Sequence, residues 1–87
     1  MILRNHGLLT CGKTVGEAFL FMYVLESACR IQILAQSSRD GEVLHVAEPI
    51  VKGITAQVDA VTKGLGAELV FPGLLRKLDR LDSSYKD

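Results

Sequence analysis

His6 is the side chain in this 87-residue protein whose type and setting most invite chemistry. It lies in Arg4-Asn5-His6-Gly7, a polar knot between two apolar runs, Met1 to Leu3 and Leu8 to Cys11. Such a knot lifts an imidazole out of a sheet edge, where a neutral ring can bind a divalent metal or move a proton. One histidine does not make a metal centre, because catalytic zinc needs three protein ligands and an open position. From spacing alone, a lone histidine beside a glycine turn is more often a hydrogen-bonded structural residue. Arg4 could meet an anion, though an ion pair is its commoner use. His45, the second histidine, reads as a loop or surface residue. Cys11 falls in an expected strand with no base beside it, so it reads as a small buried hydrophobe and not a nucleophile. Cys11 and Cys29 lack a C-x-x-C spacing, which favours two reduced, buried thiols. Gly64-x-Gly66 lacks the preceding strand and third glycine of a phosphate loop and reads as a stop or hinge.

The elements that must carry these residues follow from local pattern. Residues 1–12, rich in Leu and Ile and broken at Asn5-His6-Gly7, predict a strand, a turn and a second strand, with Gly7 free to take a positive φ. Thr14-Val15-Gly16-Glu17 has capping-box spacing, the Thr14 hydroxyl accepting from the Glu17 amide and the Glu17 carboxylate reaching back to the Thr14 amide. A long helix is expected over 14–37. Its apolar residues cover most of its circumference, the pattern of a helix buried on more than one side. Glu26 and Arg30 form an i,i+4 pair in the favourable order. Ser37 to Gly41 reads as a turn, and Glu42 to Val46 as extended or irregular. Pro49 marks the first turn of a second helix over 48–63, with Ile50, Val51, Ile54, Val58 and Val61 at helical spacing and Gly53 inside it. A third helix is expected over 69–81, with Pro72 near its start and a solvated face of Arg76, Lys77, Asp79, Arg80 and Asp82.

Ten basic residues balance ten acidic ones, and 48% of the chain is apolar. The neutral balance excludes the electrostatic footprint of a nucleic-acid binder or an anionic-membrane binder. Glu17, Glu26 and Arg30 bound the apolar stretch 18–25, which argues against a membrane span. No basic region precedes an apolar one, so no signal peptide is read. A chain this short is one domain at most, and its apolar fraction is large for a small body to hide. Some of that surface is expected to meet another chain.

Residues Leu3 to Phe19, with Asn5-His6-Gly7 and then Gly12-Lys13-Thr14, together with Leu25-Glu26-Ser27-Ala28-Cys29-Arg30-Ile31-Gln32, closely resemble the class II aldolase/adducin family. The resemblance is good over 2–36, weakens across 37–68 and returns at Phe71 to Tyr85. It implies an α/β fold: the C-terminal fragment of an α/β/α sandwich, with two short strands, one long helix and two shorter ones, residues 1–87 forming a single partial domain. It further implies a metal-dependent aldehyde-lyase or epimerase acting on a small phosphorylated sugar, with zinc or another divalent metal held by three histidines. His6 matches the last of those three. The other two, in a His-x-His unit, and the catalytic acid lie upstream in the family and find no counterpart here. The isolated chain is therefore expected to be inactive and to hold no metal tightly. Tyr85 matches, as a weak candidate, the tyrosine that some family enzymes place near the chain end as a proton donor. The alternative is a non-catalytic, adducin-like module for oligomerisation or partner binding, and a small helical domain with an accidental motif is a third reading. A cytoplasmic homo-oligomer pairing through residues 1–11 is expected.

Overall fold

The chain turns first at Leu3-Arg4-Asn5-His6, where the His6 amide donates to the Leu3 carbonyl at 3.3 Å. Asn5, the third residue of the turn, has φ 60°, and Gly7 follows at 131°. A positive φ at the third residue and not the second is the type II pattern, which asks for Gly or Asn there. The turn joins β1 (Ile2–Leu3) to β2 (Gly7–Leu8), antiparallel with Ile2 opposite Leu8 and Leu3 opposite Gly7. The Leu9 amide donates to the Met1 carbonyl at 2.9 Å and closes the hairpin. These strands are shorter than the expected 1–12 unit, and Cys11 lies beyond them.

In this computed structural model residues 1–37 and 42–87 are described; of the turn expected over 37–41, residues 38–41 lie outside them. The main helix, α1, runs Val15–Gln36. Thr14 caps it as the spacing predicts, its hydroxyl accepting from the Glu17 amide at 3.1 Å. The other half of the box differs: the Glu17 carboxylate accepts from the Lys13 amide, one residue earlier than expected. Residues 42–47 have no regular structure.

The second helix, α2 (Glu48–Thr62), has Pro49 in its first turn. It stops where Lys63 (φ 50°) and Gly64 (φ 72°) take left-handed conformations in succession. Gly64 is thus the stop that the sequence suggested. Gly66 is not part of it: α3 (Gly66–Leu81) begins there, three residues earlier than the apolar pattern implied. Pro72 consequently sits inside the helix, where it cannot donate to the Glu68 carbonyl. A short 3₁₀ turn, Ser84–Lys86, ends the chain.

α1 packs against α3 and against β2. Phe19 and Phe71 meet with ring centroids 5.7 Å apart and planes tilted by 54°. Gly16 makes that approach possible, since a Cβ there would stand 3.0 Å from both Cβ and Cγ of Phe71. Gly16 is the buried residue of α1, and no hydrophobic side chain among the described residues is fully buried. The expectation of a buried helix is corrected: α3 and the hairpin cover α1 only in part, and Phe21, Tyr23, Val24, Ile31 and Ile33 stay exposed. Both cysteines are free, Cys11 exposed and Cys29 half-buried, which corrects the expectation of two buried thiols.

The accessible surface is 7905 Å², against about 5,000 Å² for a compact protein of this mass. The radius of gyration is 16.6 Å, where about 12 Å is usual. By length and composition alone α1, with 22 residues, is long and apolar enough to cross a membrane, a property that the core helix of a soluble protein shares. The described residues are mostly helical with one two-stranded sheet, and the three-layer sandwich that the resemblance implied is not formed among them.

Candidate functional site

His6 is exposed, on the segment joining β1 to β2. Its Nδ1 lies 3.1 Å from the carbonyl oxygen of Arg4, two residues back. A carbonyl can only accept, so Nδ1 is the donor in this contact, and the neutral ring in that tautomer presents its lone pair at Nε2. A backbone carbonyl that fixes the tautomer in this way is the usual support of a histidine that ligates a metal through its other nitrogen. The type II turn produces this arrangement locally, from residues 3–7 alone. The ring is therefore oriented before any ligand arrives. Arg4 contributes its carbonyl, and no ion pair among the described residues involves its side chain.

Two further contacts seat this hairpin on α1. The Thr10 hydroxyl donates to the Ala18 carbonyl at 2.9 Å. Gly12 passes so close to the helix start that a Cβ there would fall 2.5 Å from the Ala18 amide nitrogen. Sequence reasoning marked Gly12 only within the Gly12-Lys13-Thr14 motif and did not single out Thr10. Neither contact follows from periodicity, since both depend on the path of the chain back across the first turn of α1.

His45 lies exposed in the irregular segment before α2, as a loop histidine should. Tyr85 is on the terminal 3₁₀ turn, where its hydroxyl donates to Asp79 Oδ1. Lys86 Nζ reaches the same oxygen at 2.8 Å and stands 5.7 Å from the centre of the Tyr85 ring. Hydrogen bonds from Lys86 and then Tyr85 hold the Asp79 carboxyl below its ordinary range. The bond to Asp79 raises the Tyr85 hydroxyl above its own. This clasp was not visible in the sequence, which marked Asp79 only as part of a solvated face. No hydrogen bond among the described residues joins His6, His45 and Tyr85.

Among the described residues no three His, Cys, Asp or Glu side chains gather into a metal-binding group. The chain fits one ligand of a metal centre, a pre-oriented imidazole, and does not by itself fit the whole centre. An open cleft of about 330 Å³ lies elsewhere, between the start of α1, α2 and the start of α3. Leu20, Phe21, Ile54 and Val58 supply its apolar walls, and Glu17 and Asp59 its acidic groups.

Residues 1–33 match the Class II Aldolase and Adducin N-terminal domain. A class 2 aldolase-type protein of Pseudomonas aeruginosa is 40% identical over 99% of this chain and 34% of its own length. A second protein of that type, from Caulobacter vibrioides, is 39% identical over all of this chain and 34% of its own. Human gamma-adducin is 36% identical over 93% of the chain and 13% of its own length. The chain thus spans about a third of the length of the aldolase-type relatives. No solved structure matches it. The Asn5-His6-Gly7 turn, the capped helix after it and relatives aligned along nearly the whole chain agree: this protein belongs to the class II aldolase and adducin family.

Proposed function

We propose that this chain is the C-terminal portion of a class II aldolase-like unit, supplying one imidazole, His6, to a divalent-metal centre whose other ligands lie outside it. The single observation behind this reading is the His6 ring itself, with Nδ1 tied to the Arg4 carbonyl and Nε2 left with a free lone pair. In such a centre the metal acts as a Lewis acid on a small phosphorylated sugar. The role of this chain is narrower: it holds one ligand in a fixed tautomer on a rigid turn. Alone it lacks the ligand set, so it is inactive as a lyase or epimerase and retains zinc weakly.

The competing reading is an adducin-like module that binds partners without catalysis. The alignment with human gamma-adducin over 93% of the chain favours it, and the unburied apolar surface suits an assembling protein. We assign α1 to packing within such an assembly and not to a membrane, because Glu26 and Arg30 fall near its middle and are costly in hydrocarbon. We propose with it a cytoplasmic homo-oligomer that pairs in part through the short strands.

Zinc titration followed by calorimetry, with His6→Ala as the control, tests the first reading. The expected result is weak binding to the native chain, with about tenfold or greater loss on substitution. Equal zinc binding by both forms would remove His6 from the metal. Robust zinc-dependent cleavage of a phosphorylated sugar by the isolated chain would overturn the claim that it is inactive.

A further inference from the structure

Asn5 and Lys63 are the non-glycine residues with positive φ among the described residues, at 60° and 50°. Lys63 ends α2, where such a conformation is an ordinary stop. Asn5 ends no helix. It lies between the two partners of the contact that fixes the His6 ring: Arg4, whose carbonyl oxygen stands 3.1 Å from Nδ1, and His6 itself. No hydrogen bond among the described residues uses the Asn5 side chain, so its type serves the backbone. Asn tolerates the left-handed region, where most other L residues lose about five- to thirty-fold in population. A backbone outlier beside a candidate site points to a role there.

The turn itself shows what that conformation does. Type I and type II turns differ by a half-rotation of the peptide between their two central residues. Here that peptide joins the Arg4 carbonyl to the Asn5 amide. With Asn5 at φ 60° the turn is type II, and the carbonyl oxygen lies on the side of the His6 ring. In a type I turn, with residue 5 at about −90°, the same peptide would be reversed. The carbonyl would point away and the amide of residue 5 would take its side. A carbonyl accepts and an amide donates, so the reversal would ask the opposite of Nδ1. Gly7 (φ 131°) fixes the chain on the far side of His6, and for conformation alone, since a Cβ there would meet nothing within 4 Å.

We propose that Asn5 is a positioning residue for His6: by holding the turn in type II it selects the tautomer with the proton on Nδ1 and the lone pair on Nε2. Asn5 acts through the Arg4 carbonyl and not through its own side chain. The selection is a property of residues 3–7 and operates with no metal present. Its consequence, a ligand nitrogen presented in advance, rests on the metal-binding role proposed for His6.

Long-range nitrogen–proton NMR of the neutral His6 ring in the full chain reads the tautomer, with His45→Gln removing the second imidazole from the spectra. Asn5→Ala is the probe and Asn5→Gly the conservative variant. Nuclear Overhauser contacts between Ile2 and Leu8 report whether the hairpin stays closed. The expected result is a ring protonated on Nδ1 in the native and glycine forms. In the alanine form the ratio of that tautomer to the other should fall about five- to thirty-fold, with the hairpin closed in all three. A native ring protonated on Nε2, an alanine variant with the native ratio, or a glycine variant without it would each overturn the proposal. So would an alanine variant whose ratio changes only as the hairpin opens, because Asn5 would then serve the hairpin alone. Zinc calorimetry on the same proteins separates this from the metal-binding role. A tautomer shift with zinc affinity unmoved would leave the selection standing and take Nε2 of His6 off the metal.

Discussion

Residues 1–36 and helix α2 are built on different principles, although local backbone chemistry marks the ends of both. In the first region every change of direction is held by its own chain. Asn5 and Gly7 take positive φ, Thr10 reaches the Ala18 carbonyl, Gly12 nests against the helix start and Thr14 caps it. In α2 the ends are equally definite, with Pro49 at the start and a left-handed Lys63-Gly64 pair at the stop. Nothing comparable seats its sides. Local backbone chemistry fixes where a helix begins and ends, whereas only packing fixes where it lies.

Gly12→Ala should break the first region and so tests this contrast most severely. The new methyl would overlap the Ala18 backbone nitrogen, which cannot rotate away as a side chain could. A loss of about 3 kcal/mol is expected, read from urea denaturation followed by circular dichroism. An unchanged midpoint would mean that the hairpin is not seated on α1. Gly53→Ala should do the reverse. With open space around it, alanine there should stabilise α2 by about 1 kcal/mol, measured at a dilution where the chain is monomeric. Destabilisation of the dilute monomer would show that α2 has a neighbour within this chain.

The same contrast explains what could be read in the sequence. The turn at Asn5-His6-Gly7, the Thr14 cap, Pro49 and the stop at Gly64 are chemistry within a few residues, and their types announce them. The start of α3 was misplaced because Pro72 looked like a first-turn proline, whereas the helix had already begun at Gly66. Burial was overestimated for α1 and for Cys11 because apolar residues state that they need cover but not which chain provides it. At the site, His6 was legible as a residue type in a turn. Its tautomer was not, since that depends on the Arg4 carbonyl folding back to 3.1 Å from Nδ1. The Tyr85 clasp was illegible for a related reason: Asp79 and Tyr85 meet only because Asp82 leaves the helix in an extended conformation and accepts from the Ser84 amide at 2.9 Å.

That clasp yields the smallest expected effect and a pH window with two edges. Asp79 is stabilised as the carboxylate by hydrogen bonds from Lys86 and Tyr85, so its folded value lies below the ordinary 3.8. A depressed carboxyl contributes stability above its unfolded value and loses it as pH falls through the folded one. Tyr85 and Lys86 are shifted upward from 10.0 and 10.5, in both cases chiefly by the hydrogen bond with Asp79. Raised groups contribute below their unfolded values and lose that contribution as pH rises through the folded ones. The tail should therefore stay docked on α3 between these limits and release beyond either. All three groups are exposed, so solvent screens the interaction and global stability should hardly change. The ring resonances of Tyr85, assigned by removing those of Tyr23 with Tyr23→Phe, report the docking directly. They should hold steady across neutral pH and shift at both extremes, while Asp79→Asn should abolish the acid-side step and leave the helical signal of α1 intact. A Tyr85 resonance that already has its released position at neutral pH would leave this tail no more seated than α2.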